Sequence, residues 1–501
     1  SQDSTGIVHK NDGAFSSGGA AIGGGAGASD DTTVTISKVL IHNAEGRDGG
    51  AGIGGGKQSK GKTKIDISGD ALVSAGSSGG AGIGGGSNSS QATTINISGE
   101  AFIQKATGGT GGAGIGGGKN SSGETKVNIT GGKVNASTGY GNGGAGIGSG
   151  KESSGATNIE ITGDALVSAD SSGGAAIGSG ESSTGETTIN IHDTNTGKGV
   201  KSAFTYGGAG IGSGESAKGE THVTIRNASV STLESSDTYT STSGAGIGTG
   251  YASSSNADIT ITDSTVKAVG GSGAAIGSGS EGDYSSPPTD TPDTFKTIIR
   301  ITDSNVTASS GESAAIGSGS YSTNATEIHI NGGKIEASSY SGSAIGSGDS
   351  AKGKTGIYIT GSNVTASADI GTGIGSGTSS SGETTIDISG GTIEKATGGG
   401  DGYDGSAGIG SGSHSTGYTH ITLHDGVTVK ATGGGNSSLG GGGGAGIGSG
   451  NRAKGNTDIL IKGATKVTAK GGSTAAGIGS GNGSNGSTII NIEGGTITAE
   501  G

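Results

Sequence analysis

The sequence predicts an all-β fold, a parallel β-solenoid (β-helix) of about 15 coils with three short strands per coil. Three observations predict it. A glycine phrase such as GGAGIGGG at 49–56 recurs fifteen times, with its central Ile at 22, 53, 83, 115, 147, 177, 211, 247, 276, 316, 345, 374, 409, 447 and 478. Two further phrases follow each recurrence, and in both apolar and polar residues alternate, the period-2 signature of a strand with one buried face. No stretch carries the 3.6-residue spacing of an amphipathic helix. Self-similarity at a fixed period with this strand content is the signature of a stacked repeat array, and the whole of 1–501 reads as one such domain.

In the glycine strand, Ala51 and Ile53 share a face and are expected to point inward, which leaves Gly52, Gly54 and Gly56 outward as a wall nearly free of side chains. Two explanations of that wall stand side by side. Gly permits a positive φ at a sharp corner and a close approach of neighbouring coils, a reading that suits Gly56 better than Gly52 or Gly54. Alternatively, a bare backbone stripe is a surface made to lie flat against a second solenoid or an extended polysaccharide, which makes Gly52, Gly54 and Gly56 candidate contact residues.

The second strand, TKIDIS at 63–68 or TTINIS at 93–98, places Ile95 and Ile97 on one face with Thr93. Thr holds that position in fourteen of fifteen units, Ala257 being the exception, and is expected to form an inward ladder whose hydroxyls bond between coils. The outward middle position is mixed, running through residues such as Asp66, Asn96, Glu160, Arg300, His329, Tyr358 and Asp387. The third strand, as in GGKVNAS at 131–137 or GGTITAE at 494–500, alternates again between Gly, Asn and Asp punctuation.

Spacing separates a fixed corner from a free one. From the glycine-phrase Ile to the first inward apolar residue of the second strand the distance is 12 residues in fourteen units and 23 in one, from Ile276 to Ile299. That exception is a loop insertion at 280–296 holding all three prolines. The rest of a coil varies from 17 to 26 residues, so loops grow at one corner.

Composition narrows the function. Gly is 119 of 501 residues, 28% are apolar, and Cys is absent, which removes disulfides, thiolate metal sites and thiol nucleophiles. A formal charge of −13 with 29 scattered basic residues argues against nucleic acid and anionic lipid, and no apolar run is long enough to insert in a membrane. The chain opens with Ser1 and contains no Met, which predicts a processed segment of an exported protein.

The phrases GGAGIGGG and GGTITA, alternating along essentially the whole chain, resemble those of large secreted surface proteins of gut Firmicutes and related bacteria. That resemblance implies a β-helix, an extracellular or cell-surface location, and a structural or carbohydrate-binding role. A weaker likeness is to the GGA-repeat passengers of chlamydial autotransporters; here Gly18-Gly19-Ala20-Ala21-Ile22 has one residue extra and the partner motif FxxN is missing.

No constellation of residues marks a catalytic centre. Glu124, Glu186, Glu220 and Glu383 recur at one phase in the phrase GET, which assigns them to a corner. On THITLH, His420 and His424 share the outward face as a two-ligand metal candidate without an evident third ligand; no metal or cofactor is expected. Calcium-binding solenoid repeats need an Asp that the glycine phrase lacks, and the outward row is too mixed for an ice-binding Thr array. Three loops present a Tyr among acidic and hydroxyl residues, which makes Tyr239, Tyr284 and Tyr403 candidate contacts for sugar rings or protein. The expected function is a non-enzymatic, extracellular structural or adhesive stalk or fibre, with a polysaccharide-binding module as the alternative. Expected partners are copies of the chain, end to end or laterally, and glycans or cell-surface proteins. Neither end reads as a cap, so either the native chain runs on or copies stack head to tail.

Overall fold

The structure, a computed structural model, describes residues 6–8, 18–139, 141–232, 243–282, 291–400, 404–435 and 441–501. Among these residues every regular element is a strand. The strands fall into three parallel sheets in chain order: fifteen two-residue glycine strands, fifteen second-phrase strands and sixteen third-phrase strands, so that one coil contributes one strand to each sheet. The predicted parallel β-solenoid of about 15 coils is therefore the fold. By compactness the chain divides into two units, residues 1–236 with 247–256, and residues 237–246 with 257–501.

In the first unit the glycine strands are in register residue for residue. Ile53 pairs with Ile83, Ile83 with Ile115, and so on through Ile147, Ile177 and Ile211 to Ile247. The second sheet stacks Ile65, Ile95, Val127, Ile159, Ile189 and Val223 in the same way. The second unit repeats the pattern, with Ile276, Ile316, Ile345, Ile374, Ile409, Ile447 and Ile478 in one ladder. Nearly all of these side chains are fully buried, and each such Ile contributes about 1.5–3 kcal/mol of hydrophobic stabilisation. In the coil of residues 488–493, Ile490 and Ile492 are 42% and 51% exposed, where Ile459 and Ile461 one coil earlier are buried.

The glycine wall departs from the expected outward stripe. Gly52, Gly54 and Gly56 are all buried, and of the Ala residues at the position of Gly52, Ala176, Ala275, Ala315 and Ala344 are wholly buried while Ala21 in the first coil is exposed. A Cβ on Gly52 would lie 2.5 Å from the carbonyl oxygens of Ala44 and Gly76, so the ends of third-sheet strands close over this side. The left-handed corner is at Gly54, not Gly56: the fifteen residues equivalent to Gly54 have φ between 129° and 145°. A Cβ there would also sit 2.1 Å from Gly84 O on the following coil, whereas one on Gly56 would sit 2.2 Å from Gly25 O on the preceding coil. Close approach on both sides is what the glycines serve.

Between those two glycines lies a position the sequence reading passed over. It is Gly in the first four coils (Gly24, Gly55, Gly85, Gly117) and Ser or Thr in all eleven others. Ser149, Ser179 and Ser213 in the first unit are buried, and their Oγ atoms accept the N–H groups of Gly180, Gly214 and Gly250 on the next coil at 3.0–3.1 Å. The second unit continues with Ser278, Ser318, Ser347, Ser376, Ser411 and Ser449, bonded to Gly319, Gly348, Gly377, Gly412, Gly450 and Gly481. The predicted Thr ladder is inward and buried, as at Thr63, Thr93 and Thr157. Its bonding is incomplete, however: Oγ1 of Thr221, Thr297, Thr326 and Thr457 has no hydrogen-bond partner among the described residues, so these hydroxyls pack rather than bond.

The fixed 12-residue corner is built on one αL residue per coil. Gln58, Asn88, Asn120, Glu152, Ser182, Ser216 and Ala252 in the first unit, and Tyr321, Ser350, Ser379, His414 and Arg452 in the second, all have φ of 50–58°. The 280–296 insertion returns to this corner at Asp293, whose carboxylate accepts the Lys354 N–H at 2.8 Å.

Candidate functional site

Of the candidate contact residues, Tyr239, Tyr284 and Tyr403 lie outside the described residues, and Gly52, Gly54 and Gly56 are buried. What the coils do present is the outer face of the second sheet. In the second unit this face gathers charge and aromatic rings on the strands Lys296–Thr302, Ala325–Asn331, Thr355–Thr360, Thr384–Ser389, Thr419–His424 and Thr457–Lys462. Register aligns the first outward position as Ile298, Glu327, Gly356, Thr385, His420 and Asp458, and the second as Arg300, His329, Tyr358, Asp387, Thr422 and Leu460.

Gly356 leaves a gap in the first of these rows. A groove of about 290 Å³ opens there, lined by Lys296, Glu327, Lys354, Gly356, Tyr358 and Glu383 among others. The Tyr358 ring leans over the glycine, close enough that a Cβ on Gly356 would lie 3.0 Å from Cε2. It stacks on His329 with centroids 4.9 Å apart and planes 12° from parallel, and it remains 37% exposed. Glu327 bonds His329 Nε2 at 2.6 Å and pairs with Lys296 Nζ. Those two partners hold its carboxyl below the usual carboxylate range, Lys296 first and His329 second, so Glu327 stays ionised. Across the groove Lys354 Nζ lies 3.3 Å from Glu383 Oε2. An aromatic face between fixed donors and acceptors suits a ligand with both apolar and hydroxylated surfaces.

Two of the four corner glutamates tie one coil to the next. Glu124 accepts from Asn158 Nδ2 at 2.7 Å and Glu220 from Asn256 Nδ2 at 3.2 Å, each across one coil step. A similar tie joins Lys151 Nζ to Glu181 Oε1 at 2.7 Å, and the bond to Glu181 raises the lysine's pKa. His420 and His424 share the outward face as expected, but the rings meet different groups. His420 lies between Glu383 and Asp458, and His424 between Asp387 and Asp425. No group of three or more His, Asp or Glu side chains among the described residues is arranged to hold a metal ion.

The sequence holds the sign of the groove in TGIYIT at 355–360, a Gly inside a strand two residues before a Tyr. The outward row that contains Tyr358 was read for a repeated chemistry, and a site made by one irregular coil does not repeat.

Seven segments, 127–151, 259–280, 299–320, 328–349, 386–413, 459–482 and 490–501, match the family described as beta helix repeat. Each starts within a second-sheet strand; the first six run on through the third-sheet strand and the glycine strand of the next coil, which is one full coil of the solenoid. Match and fold together fit a β-helix repeat protein. Neither the curated proteins nor the solved structures compared with this chain gave a match.

Proposed function

We propose that this chain is a non-catalytic structural protein displayed outside the cell, a stiff β-solenoid at a cell surface that associates with copies of itself, end to end or laterally. The observation that supports the reading is the uniformity of the ladders: the glycine, Ile and Ser positions recur in register and buried from coil to coil, so the sequence is devoted to stacking. Antibodies to the chain, applied to intact and to permeabilised cells of its source, test the location. Labelling that requires permeabilisation refutes it. Sedimentation across a wide concentration range tests self-association, which a constant monomer mass refutes.

A second reading, a polysaccharide-binding module, is favoured by the groove at Gly356 and the accessible Tyr358 ring. Sugar C–H faces stack on such rings while Lys, Glu and His side chains bond the hydroxyls. A glycan array followed by Tyr358→Ala tests it: loss of a detected signal supports the reading, and silence across plant, bacterial and host glycans overturns it.

A further inference from the structure

The strand Thr419–His424 crosses a patch in which four carboxylates converge on two imidazoles. From the preceding coil, Glu383 places Oε1 3.6 Å from His420 Nε2, and Asp387 places Oδ1 2.8 Å from His424 Nε2. From the following coil, Asp458 places Oδ2 3.9 Å from His420 Nδ1. Asp425, at the end of the same strand, places Oδ2 2.8 Å from His424 Nδ1.

The remaining charged or titratable groups around the patch are few. Lys354 reaches Glu383 from one coil further back. Tyr418 donates its hydroxyl to Asp458 Oδ2 and sets its ring 4.1 Å from His420. Lys462 stands on the following coil, one residue beyond the Leu423–Ile461 pair, and Thr385 and Ser389 are the uncharged register partners of the two histidines. With both imidazoles neutral, four carboxylates therefore face two lysines; two imidazolium ions remove that excess. Opposite nitrogens of each ring face different carboxylates, so one bound ion cannot gather the set, whereas a protonated His424 has an N–H on each nitrogen and donates to both Asp387 and Asp425.

We propose that this patch is a pH-sensitive clasp: protonation of His424 ties the strand Thr419–His424 to Asp387 on the preceding coil and to Asp425, and loss of that proton as pH rises leaves the carboxylates to repel and the coils to open locally. Imidazole is the side chain whose charge changes between about pH 5 and 8. At His424, partial burial works against the charge, but the bonds to Asp387 and then Asp425 outweigh it and hold the pKa above the usual value. A pKa raised on folding stabilises below the unfolded value of about 6.5 and loses that contribution as pH rises through the folded value.

The test is amide hydrogen exchange on the full chain at pH 5.8 and 7.8, corrected for the intrinsic pH dependence of exchange. The third-sheet strands 392–397 and 428–432 of the same coils serve as internal reference. The clasp requires strands 384–389 and 419–424 to lose protection several-fold at pH 7.8 relative to that reference. It further requires H420Q/H424Q to abolish the pH difference, and 0.5 M NaCl to shrink it in the unaltered protein through screening. Equal protection at the two pH values, or a difference that persists in H420Q/H424Q, overturns the proposal. If the double variant fails to fold, a pH difference indifferent to salt overturns it equally.

Discussion

Gly117→Ser is expected to stabilise the first unit by about 1 kcal/mol, although it places a side chain in a buried wall of glycine. Gly117 occupies the position at which Ser149, one coil later, accepts the Gly180 N–H at 3.1 Å. A Cβ on Gly117 would stand 3.2 Å from Gly150 N, a buried amide that donates no hydrogen bond among the described residues, and its φ lies outside the left-handed region. The new bond is worth about 0.5–1.5 kcal/mol, and the lost freedom of the unfolded glycine adds about 0.4–1 kcal/mol. Against this, the Thr125 hydroxyl, 2.9 Å from the new Cβ, must turn aside. The next coil shows that the two side chains fit together, since Ser149 and Thr157 are both 1% exposed. Long repeat arrays do not unfold in one step, so a local readout is needed. Hydrogen exchange at the Gly150 amide should slow about fivefold, the equivalent of 1 kcal/mol, and Ser149→Ala should speed exchange at Gly180. Unchanged or faster exchange at Gly150 in Gly117→Ser would refute the reasoning.

Gly116→Ala combines a φ of 136° with a methyl group 1.8 Å from Gly148 O, and is expected to cost more than about 3 kcal/mol, read as loss of soluble folded protein. Thr297→Val removes a wholly buried hydroxyl without a hydrogen-bond partner among the described residues, at nearly constant shape. It should raise stability by about 1 kcal/mol in urea-dependent proteolysis. Ala252→Gly relieves an αL residue at φ 50° at some entropic expense, and a net gain of about 0.5–1 kcal/mol should appear in the thermal onset of the first unit.

The fold was legible because a solenoid writes the same constraint fifteen times. Alternation in TTINIS located the buried Ile95 and Ile97, and the constant 12-residue spacing located the fixed corner. The orientation of the glycines was not legible, because alternation assumes extended backbone. At Gly54 the chain turns through positive φ, so the even–odd rule no longer assigns a face. The serine at position 149 and its equivalents was overlooked for a related reason: a small residue between two glycines reads as more of the same, and its value lies in an amide one coil away. The clasp was half legible, since His420 and His424 were paired by spacing while their four carboxylates come from two neighbouring coils and a turn. At the groove, Tyr358 stood in plain view but in a row whose variety concealed it.

The serine bonds all run one way, from an amide N–H on one coil to a serine oxygen on the coil before it. In this row each serine-bearing coil is thus two-faced, with a hydroxyl acceptor toward the next coil and an amide donor toward the one before. A coil copied whole and set elsewhere in the stack meets complementary chemistry above and below, so such a chain lengthens by duplicating complete coils. A duplication that breaks the glycine phrase parts the serine of one coil from the amide of the next.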